Sequence, residues 1–343
     1  MKRAFAVTAA ILLLCLASIA QANVFKLGTA LDGTVFTNLE TVFVGNRGND
    51  PDTRYANPGY GSVGYNYRIG KYEVTAKQYA DFLNNKATTD GDPYGLYSTS
   101  MTGTIGCKIQ RSGGGTVANP YSYTVAPDWA NRPVNCVSYW DACRFANWLG
   151  NGQGDNSTET GAYTLNGYND ADGRTIQRNA GATWAVTSED EWYKAAYYDP
   201  NKAGGAGYWL YPTSSNTAPG RDMADVSGNN ANYYTGSGAY PIDSGKYTTI
   251  AGEFQNSDSP YGTFDQGGNV WEWNEAIMSG SYRGLRGGSF DYYDNVNLHA
   301  AYPIYVNQTD EYYDVGFRVS EVPEPATMAL LALGGLVALR RRR

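Results

Sequence analysis

Histidine is almost absent from this chain, and cysteine is scarce. His299 is the single histidine among 343 residues, which excludes a metal centre built from several imidazoles. A serine–histidine–aspartate triad would have to use His299, and no GxSxG nucleophile elbow accompanies it. No cysteine follows Cys143, so the C-terminal half has no thiolate with which to bind a soft metal. These absences argue against hydrolases of the triad type and against multi-histidine metalloenzymes.

Basic residues are few once the two ends of the chain are set aside. The chain has 26 Lys and Arg against 33 Asp and Glu, a net charge of −7. Without Lys2, Arg3 and the four arginines at 340–343, 20 basic residues remain and the charge becomes −13. A body this acidic does not suit nucleic acid as a partner.

The N-terminus has the pattern of a secretion signal over residues 1–22. Lys2 and Arg3 precede an apolar run from Ala4 to Ala20, and small residues at Ala20 and Ala22 suit signal peptidase, which predicts cleavage before Asn23. A permanent membrane anchor is the alternative, and the short run disfavours it.

The C-terminus, residues 321–343, reads VPEPATMALLALGGLVALRRRR from Val322 onward. Its largely apolar run of 14 residues from 326 to 339, interrupted by Thr327, is shorter than the roughly 20 residues needed to cross a bilayer, while the terminal arginines favour the cytoplasmic side. The segment resembles the PEP-CTERM sorting signal of Gram-negative bacteria. The resemblance implies transient anchoring in the inner membrane, processing by an exosortase, and a final place at the cell surface or outside the cell.

Residues 23–320 are predicted to form one domain with a core of large aromatic side chains. The chain has 41 glycines, 30 tyrosines and 8 tryptophans, and no Pro-rich or Ser-rich linker divides the region. Helices are predicted after Thr75 and Ser188, where the hydroxyl and the side chain three residues later fit a capping box, and after Ser138. Short strands are predicted at IGKYEV, ATWAV, NVWEW and GFRVS, with loops near 86–131 and 150–180.

Three cysteines remain after signal removal, an odd number for an oxidising compartment. Cys143 lies in a helical stretch where an apolar cysteine is usually packed. Whether Cys107 and Cys136 form a disulfide stays open at this point, as does pairing between chains.

The segment GGNVWEW, residues 267–273, places a carboxylate where a cation could bind. Trp271 and Trp273 alternate about Glu272 as in a strand, so Glu272 points away from both indoles. Beside Asp265 and the carbonyls of a glycine-bent loop, Glu272 suits a hard cation such as calcium, which takes six to eight oxygen ligands. The alternative is an ion pair of Glu272 with Arg283 or Arg286, and both interpretations stay open.

These residues also carry a resemblance that covers roughly residues 42–320. YGTFDQGGNVWEWNE, LRGGSF and GFRVS resemble the formylglycine-generating enzyme family, the sulfatase-modifying factors. Matches occur in the same order at YRIGKYEVTAKQYADFLN, RPVNCVSYWDACRFANWL, ATWAVTSEDEWYKAAYYDP and ANYY. The resemblance implies an α+β fold, a loop-rich variant of the C-type-lectin fold with little regular secondary structure.

The family's activity, oxidation of a sulfatase cysteine to formylglycine, depends on a cysteine pair that binds copper(I). The corresponding positions here are Tyr292 and Asn297, neither of which supplies a thiolate. Copper is therefore not expected, and a non-catalytic role is predicted. The alternative is a sulfatase-modifying or other oxidoreductase activity.

The resemblance also implies two structural calcium sites. One would use Asp265 and Glu272 with the carbonyls of Gly268 and Val270. The other would use a second group of residues: Asn232 and Asp243 with the carbonyls of Tyr233 and Gly245.

Around the position of the family's active site, the sequence is rich in tyrosine and asparagine, which suit recognition of sugars or peptides. The predicted groove comprises Tyr292, Tyr293, Asn295, Asn297, Tyr302, Tyr305, Tyr312 and Tyr313. The alternative is that these tyrosines close the core. The predicted function is an exported surface protein that binds exopolysaccharide or another surface protein.

Overall fold

The computed structural model describes residues 39–89, 92–236, 241–292 and 295–323. The predicted signal peptide, nearly all of the predicted sorting segment, and Tyr293 lie outside these residues. No helix among the described ones is long and apolar enough to cross a bilayer. The transient anchor and the boundaries at residues 22 and 320 therefore stay predictions.

Three α-helices occur in the described ranges: α1 (Ala76–Lys86), α2 (Tyr139–Gly150) and α3 (Glu189–Tyr197). Each begins directly after a predicted cap, because Thr75, Ser138 and Ser188 accept a hydrogen bond from the backbone three residues later. In every case the side chain of that third residue bonds back to the cap, which completes the capping box. The three predicted helix starts are confirmed.

The strands of the described residues are short, with one exception of eight residues. In chain order they are β1 (Thr41–Val44), β2 (Tyr67–Gly70), β3 (Ile109–Ser112), β4 (Ser122–Val125), β5 (Trp184–Val186), β6 (Tyr198–Asp199), β7 (Gly207–Tyr208), β8 (Trp271–Met278), β9 (Tyr282–Arg286), β10 (Ile304–Val306), β11 (Val315–Phe317) and β12 (Val319–Glu321). Helices and strands together make the α+β class that the sequence predicts.

Two four-stranded sheets organise these elements. The first has the order β1-β2-β12-β5 with all neighbours antiparallel, so the last strand lies between two earlier ones. The second has the order β10-β9-β8-β11, in which only β8 and β11 run parallel. Strands β3 and β4, and β6 and β7, form two hairpins.

Two strand predictions and one loop prediction need correction. The strand expected at IGKYEV ends at Gly70, the stretch near 86–131 expected to be a loop contains the β3–β4 hairpin, and GFRVS is divided between two strands. The division falls at Arg318, which lies between β11 and β12 and is completely buried. One extended segment thus enters both sheets and places a buried guanidinium at the junction.

Aromatic rings close the main core between α1, α2 and β11, as the composition predicts. Phe145 of α2 packs edge-on against Phe82 and Phe317, each with ring centroids 5.4 Å apart, and Trp148 contacts Phe82 at 5.2 Å. Cys107, Cys136 and Cys143 are buried free thiols, so the structure contains no Cys107–Cys136 disulfide.

Candidate functional site

The RGGS turn at residues 286–289 shapes the predicted active-site region. Gly287 and Gly288 have φ angles of +100° and +77°, which residues other than glycine rarely adopt. A Cβ at Gly288 would lie 2.8 Å from Leu298 and 3.3 Å from Asn297. The bend therefore brings the chain against the short 3₁₀ helix Asn295–Leu298.

Tyr292 and Asn297, which the resemblance predicts to stand at the positions of the copper-binding cysteines, have different environments. Asn297 is buried, whereas Tyr292 is 42% exposed and packs edge-on against Trp271 with ring centroids 5.3 Å apart. Both side chains offer oxygen or nitrogen atoms only. The arrangement thus presents a phenol to solvent at a position where the resemblance predicts a thiolate in the family.

Tyr292 is one of four exposed tyrosines that lie together. Partial burial raises its pKa first, followed by the nearby carboxylates of Asp314 and Asp291 and the phenols of Tyr312 and Tyr302. Tyr313 joins the group, since Asp291 and Tyr292 are both among the neighbours that raise the pKa of Tyr313. We call these four residues the tyrosine surface: Tyr292, Tyr302, Tyr312 and Tyr313, which are 36–46% exposed.

Other residues of the predicted groove have different positions. Tyr305 lies on β10 and stacks on Tyr282 of β9, with centroids 5.7 Å apart and planes 17° from parallel. Asn295 is half-buried on the 3₁₀ helix, and Asn297 beside it is buried. The structure therefore brings together four of the tyrosines, while Tyr293 lies outside the described residues.

Beneath the tyrosine surface lies a buried acid that the sequence analysis did not identify. Asp314 accepts a hydrogen bond from the Ser289 hydroxyl at 2.8 Å, and burial raises the pKa of Asp314 to about 6. Above it, the Tyr313 hydroxyl donates to Asp291 at 2.6 Å. Asp314 directly precedes β11, and that position next to GFRVS is the only sequence signal that could have indicated it.

The first predicted calcium group surrounds a buried ion pair. Arg318 donates from Nε to Glu272 Oε2 at 2.5 Å and from a terminal nitrogen to Oε1 at 2.6 Å, with both side chains fully buried. Trp192 Nε1 donates to the same Oε2 at 2.8 Å. The alternative of an ion pair at Glu272 is thus realised, but with Arg318 rather than Arg283 or Arg286. Arg286 pairs instead with Glu189.

A third carboxylate, Glu73, lies near Asp265 and Glu272. Glu73 is 1% exposed, and neither of its carboxylate oxygens has a hydrogen-bond partner among the described residues. Burial and then the Asp265 carboxylate raise the pKa of Glu73 well above its usual value. Burial also raises the pKa of Asp265 to about 6. The region therefore holds two buried acids, Glu73 and Glu272, and the partly buried Asp265 around one guanidinium, that of Arg318.

The first group meets the needs of a hard cation only in part. Acids outnumber Arg318 three to one, and Asp265 lines a small cavity of about 10 Å³, about the volume that one water requires. Glu272, Gly268 and Val270 do not line that cavity, and both carboxylate oxygens of Glu272 accept from Arg318. Gly268 and Val270 lie on the loop between Asp265 and Glu272, as the family pattern implies. No cluster of three or more acidic, histidine or cysteine side chains at metal-binding distance occurs in the described ranges. Calcium here stays a prediction.

The second predicted group fits a cation less well, because Asp243 forms an ion pair with the buried Arg132. Asn232 donates from its side-chain nitrogen to the Tyr247 carbonyl at 2.9 Å, and its backbone pairs with Gly268 of the first group. Gly245 lies in the turn that follows Asp243. Tyr233 is buried and donates its hydroxyl to the Pro219 carbonyl.

Comparison with known proteins decides the family. A family model for the sulfatase-modifying factor enzyme 1-like domain matches residues 30–322. This chain belongs to that family. The PEP-CTERM protein-sorting motif matches residues 321–343, so this sulfatase-modifying factor homologue is an exported protein with exosortase-dependent sorting. No curated protein matches it at a significant level.

Several solved structures are similar to this homologue, and the likeness to the first of them, together with the family match, supports the fold. Treponema denticola variable protein 1 is 17% identical, with 84% of this chain and 96% of that one covered and a TM-score of 0.50. CarF is 20% identical over 83% and 99% of the two chains, with a TM-score of 0.48. PvdO from Pseudomonas aeruginosa is 18% identical over 76% and 82%, with a TM-score of 0.43. The predicted formylglycine-generating-enzyme fold, a loop-rich C-type-lectin-like variant, is confirmed.

Proposed function

We propose that this protein is a non-catalytic binding module that recognises extracellular polysaccharide through its tyrosine surface. The observation that carries the proposal is the exposed phenol of Tyr292 beside the buried amide of Asn297, the two residues predicted to stand where the family binds copper. Four half-exposed aromatic rings offer flat apolar faces with hydroxyl groups at their edges, which suits stacking against sugar rings.

The remaining nucleophiles and bases do not favour the enzymatic alternative. Cys107, Cys136 and Cys143 are buried, and burial raises the pKa of Cys107 to about 11, which disfavours a thiolate. His299 packs edge-on against Tyr55 and Tyr211, and its Nδ1 accepts a hydrogen bond from the Ala301 backbone at 3.0 Å. These contacts are those of packed, structural side chains.

A mass-spectrometric assay tests the absence of catalysis. The protein is incubated with copper(I), oxygen and a sulfatase peptide of the CxPxR type, and we expect no conversion of cysteine to formylglycine. The double variant Tyr292→Cys with Asn297→Cys restores a thiol pair, and we expect it to bind copper(I) where the parent does not. Formylglycine produced by the parent protein would overturn the non-catalytic proposal.

A binding assay tests the tyrosine surface. Against surface polysaccharide purified from the host, Tyr292→Ala and Tyr302→Ala should each weaken binding about fivefold to tenfold, since a stacked aromatic contact contributes about 1 kcal/mol. Tyr282→Ala is the matched control, because Tyr282 is similarly exposed but stacks on Tyr305. Equal losses for all three variants, or binding only to a surface protein, would contradict the proposal.

We also propose calcium as a structural cofactor at Asp265 and Glu272, where Glu73 adds a further buried carboxylate. The ion would neutralise acids that Arg318 alone does not compensate, and would hold the Asp265–Glu272 loop to its neighbours. Chelation should lower the melting temperature, and the shift should vanish in Asp265→Ala but persist in Asp172→Ala, whose carboxylate lies on an exposed loop. An identical melting curve with and without chelator would exclude the site.

For localisation we propose release at the cell surface or outside the cell, after transient anchoring in the inner membrane of a Gram-negative bacterium. The short apolar segment and the terminal arginines of the sorting motif support it. The intact mass of the extracellular protein should correspond to a chain that begins at Asn23 and lacks the arginines at 340–343. A mass that retains them would contradict exosortase processing.

A further inference from the structure

The tyrosine surface is bordered by acids. Asp291 accepts from the Tyr313 hydroxyl at 2.6 Å, and Asp310 lies close enough to the Tyr312 phenol for its charge to raise the pKa of Tyr312. Asp314 lies beneath, within electrostatic range of Tyr292. In the described part of the chain, neither Asp310 nor Asp314 forms an ion pair with a lysine or arginine.

The same carboxylates raise the pKa of two of the phenols, which are protonated at neutral pH in any case. The Asp291 hydrogen bond is the largest cause that raises the pKa of Tyr313, and the Asp310 charge is the largest for Tyr312. A neutral tyrosine ring has a negative face that attracts cations, by about 0.5–1 kcal/mol at an exposed site. The carboxylates add a field of the same sign, which attracts positive and repels negative ligands.

We propose that the polysaccharide recognised here carries free amino groups. The sugar rings lie against the tyrosine surface, and their ammonium groups are directed to Asp291 and Asp310. This inference rests on the proposed function and specifies the chemical class of its ligand.

Charge complementarity decides among polysaccharides. An anionic polymer would meet acids at this surface as well as a body of charge −13. A neutral sugar would gain only the ring contacts, whereas an ammonium group gains the ring faces and the carboxylates together. A basic peptide has the charge but lacks the flat sugar ring, and it is therefore one outcome of the test.

The test compares the binding of two sugar oligomers that differ only at the amino group. The full chain, purified in detergent, is titrated calorimetrically at pH 5.5 with the hexamer of glucosamine and with the hexamer of N-acetylglucosamine. We expect the glucosamine hexamer to bind at least tenfold more tightly at 20 mM NaCl. That ratio should shrink severalfold at 300 mM NaCl, because salt screens exposed charges.

Two sets of variants separate charge from stacking. Asp291→Asn and Asp310→Asn keep the shape of each side chain. Together they should reduce the ratio of the affinities for the glucosamine and N-acetylglucosamine hexamers to about one, while the acetylated hexamer still binds. Tyr302→Ala should weaken both hexamers. Asp172→Asn, which removes an exposed carboxylate on another loop, should change neither.

The failures are distinguishable. The amino-sugar inference is overturned if the protein binds the two hexamers with equal affinity. It is also overturned if Asp172→Asn and Asp310→Asn change the affinity for the glucosamine hexamer equally. Either result leaves the polysaccharide proposal standing. Binding of hexalysine without either hexamer overturns the choice of a sugar. Absence of binding to both hexamers and to the host polysaccharide overturns the inference and the proposed function alike.

Discussion

Removal of Arg318 tests the strongest energetic conclusion from the structure. Arg318 donates two hydrogen bonds to Glu272 and further ones to the carbonyls of Gly70 and Phe264, and none of its side chain is exposed. Arg318→Met keeps an unbranched side chain of similar length but removes the charge. Glu272 would then remain buried next to two other acids, with Trp192 as its one remaining described donor.

The expected loss follows from the cost of an uncompensated buried charge. Removing one partner of a buried ion pair costs about 3–5 kcal/mol, although replacing both partners by neutral groups is often far less costly. For a domain of this size, such a loss corresponds to a fall of about 6–10 °C in melting temperature. Glu272→Gln in the Arg318→Met background removes the orphaned charge, and we expect it to recover about 1–3 kcal/mol.

Urea denaturation of the four proteins of this double-mutant cycle provides the assay, at a fixed calcium concentration. Arg174→Met is the control, since Arg174 forms an ion pair with Asp172 on the surface and its loss should leave the denaturation midpoint unchanged. If Arg318→Met were no more destabilising than Arg174→Met, or if adding Glu272→Gln lowered the stability of Arg318→Met further, the reasoning about the uncompensated Glu272 charge would be wrong.

Other features give three further predictions. Burial raises the pKa of Asp141 to about 7, so the folded state holds this proton more tightly than the unfolded state. The free energy of unfolding should therefore fall by about 4 kcal/mol between pH 4 and pH 8. In urea titrations, Asp141→Asn should make the free energy of unfolding less dependent on pH. Cys107, Cys136 and Cys143 should react with a thiol reagent only in denaturant, and reaction of any of them in the native protein would contradict their burial. Gly288→Ala should destabilise the fold more than Gly280→Ala, because both have positive φ but only Gly288 has no room for a Cβ; equal midpoints would refute the crowding at the RGGS turn.

The helix starts could be predicted from sequence because their causes are local. Thr75, Ser138 and Ser188 each satisfy backbone donors within three residues, so the pattern and the structure coincide. The strands were predicted less accurately, since β2 and β12 depend on partners far along the chain. Tertiary pairing decides where such short strands end.

The candidate site shows the same limit. The alternation in GGNVWEW correctly predicts a turned-in Glu272, but its partner Arg318 lies 46 residues away and was not identified. Glu73 is almost two hundred residues from Asp265, and nothing in KYEV indicates that both reach one buried region. The tyrosines at 292, 302, 312 and 313 were predicted to lie together from their density, whereas the stacking of Tyr305 on Tyr282 depends on the pairing of β9 with β10, which density does not indicate.

The position of β12 has a consequence for biogenesis. Residues 319–321 complete the first sheet from its interior, hydrogen-bonded to β2 on one side and β5 on the other, and the sorting motif starts at residue 321. That sheet cannot close until residues 319–321 have left the translocation channel, so folding of the domain is completed only when the chain has emerged as far as the start of the sorting motif. A force that pulls on the chain at the sorting motif acts on a central strand that is hydrogen-bonded on both sides. Such a strand resists extraction from the sheet better than an edge strand would.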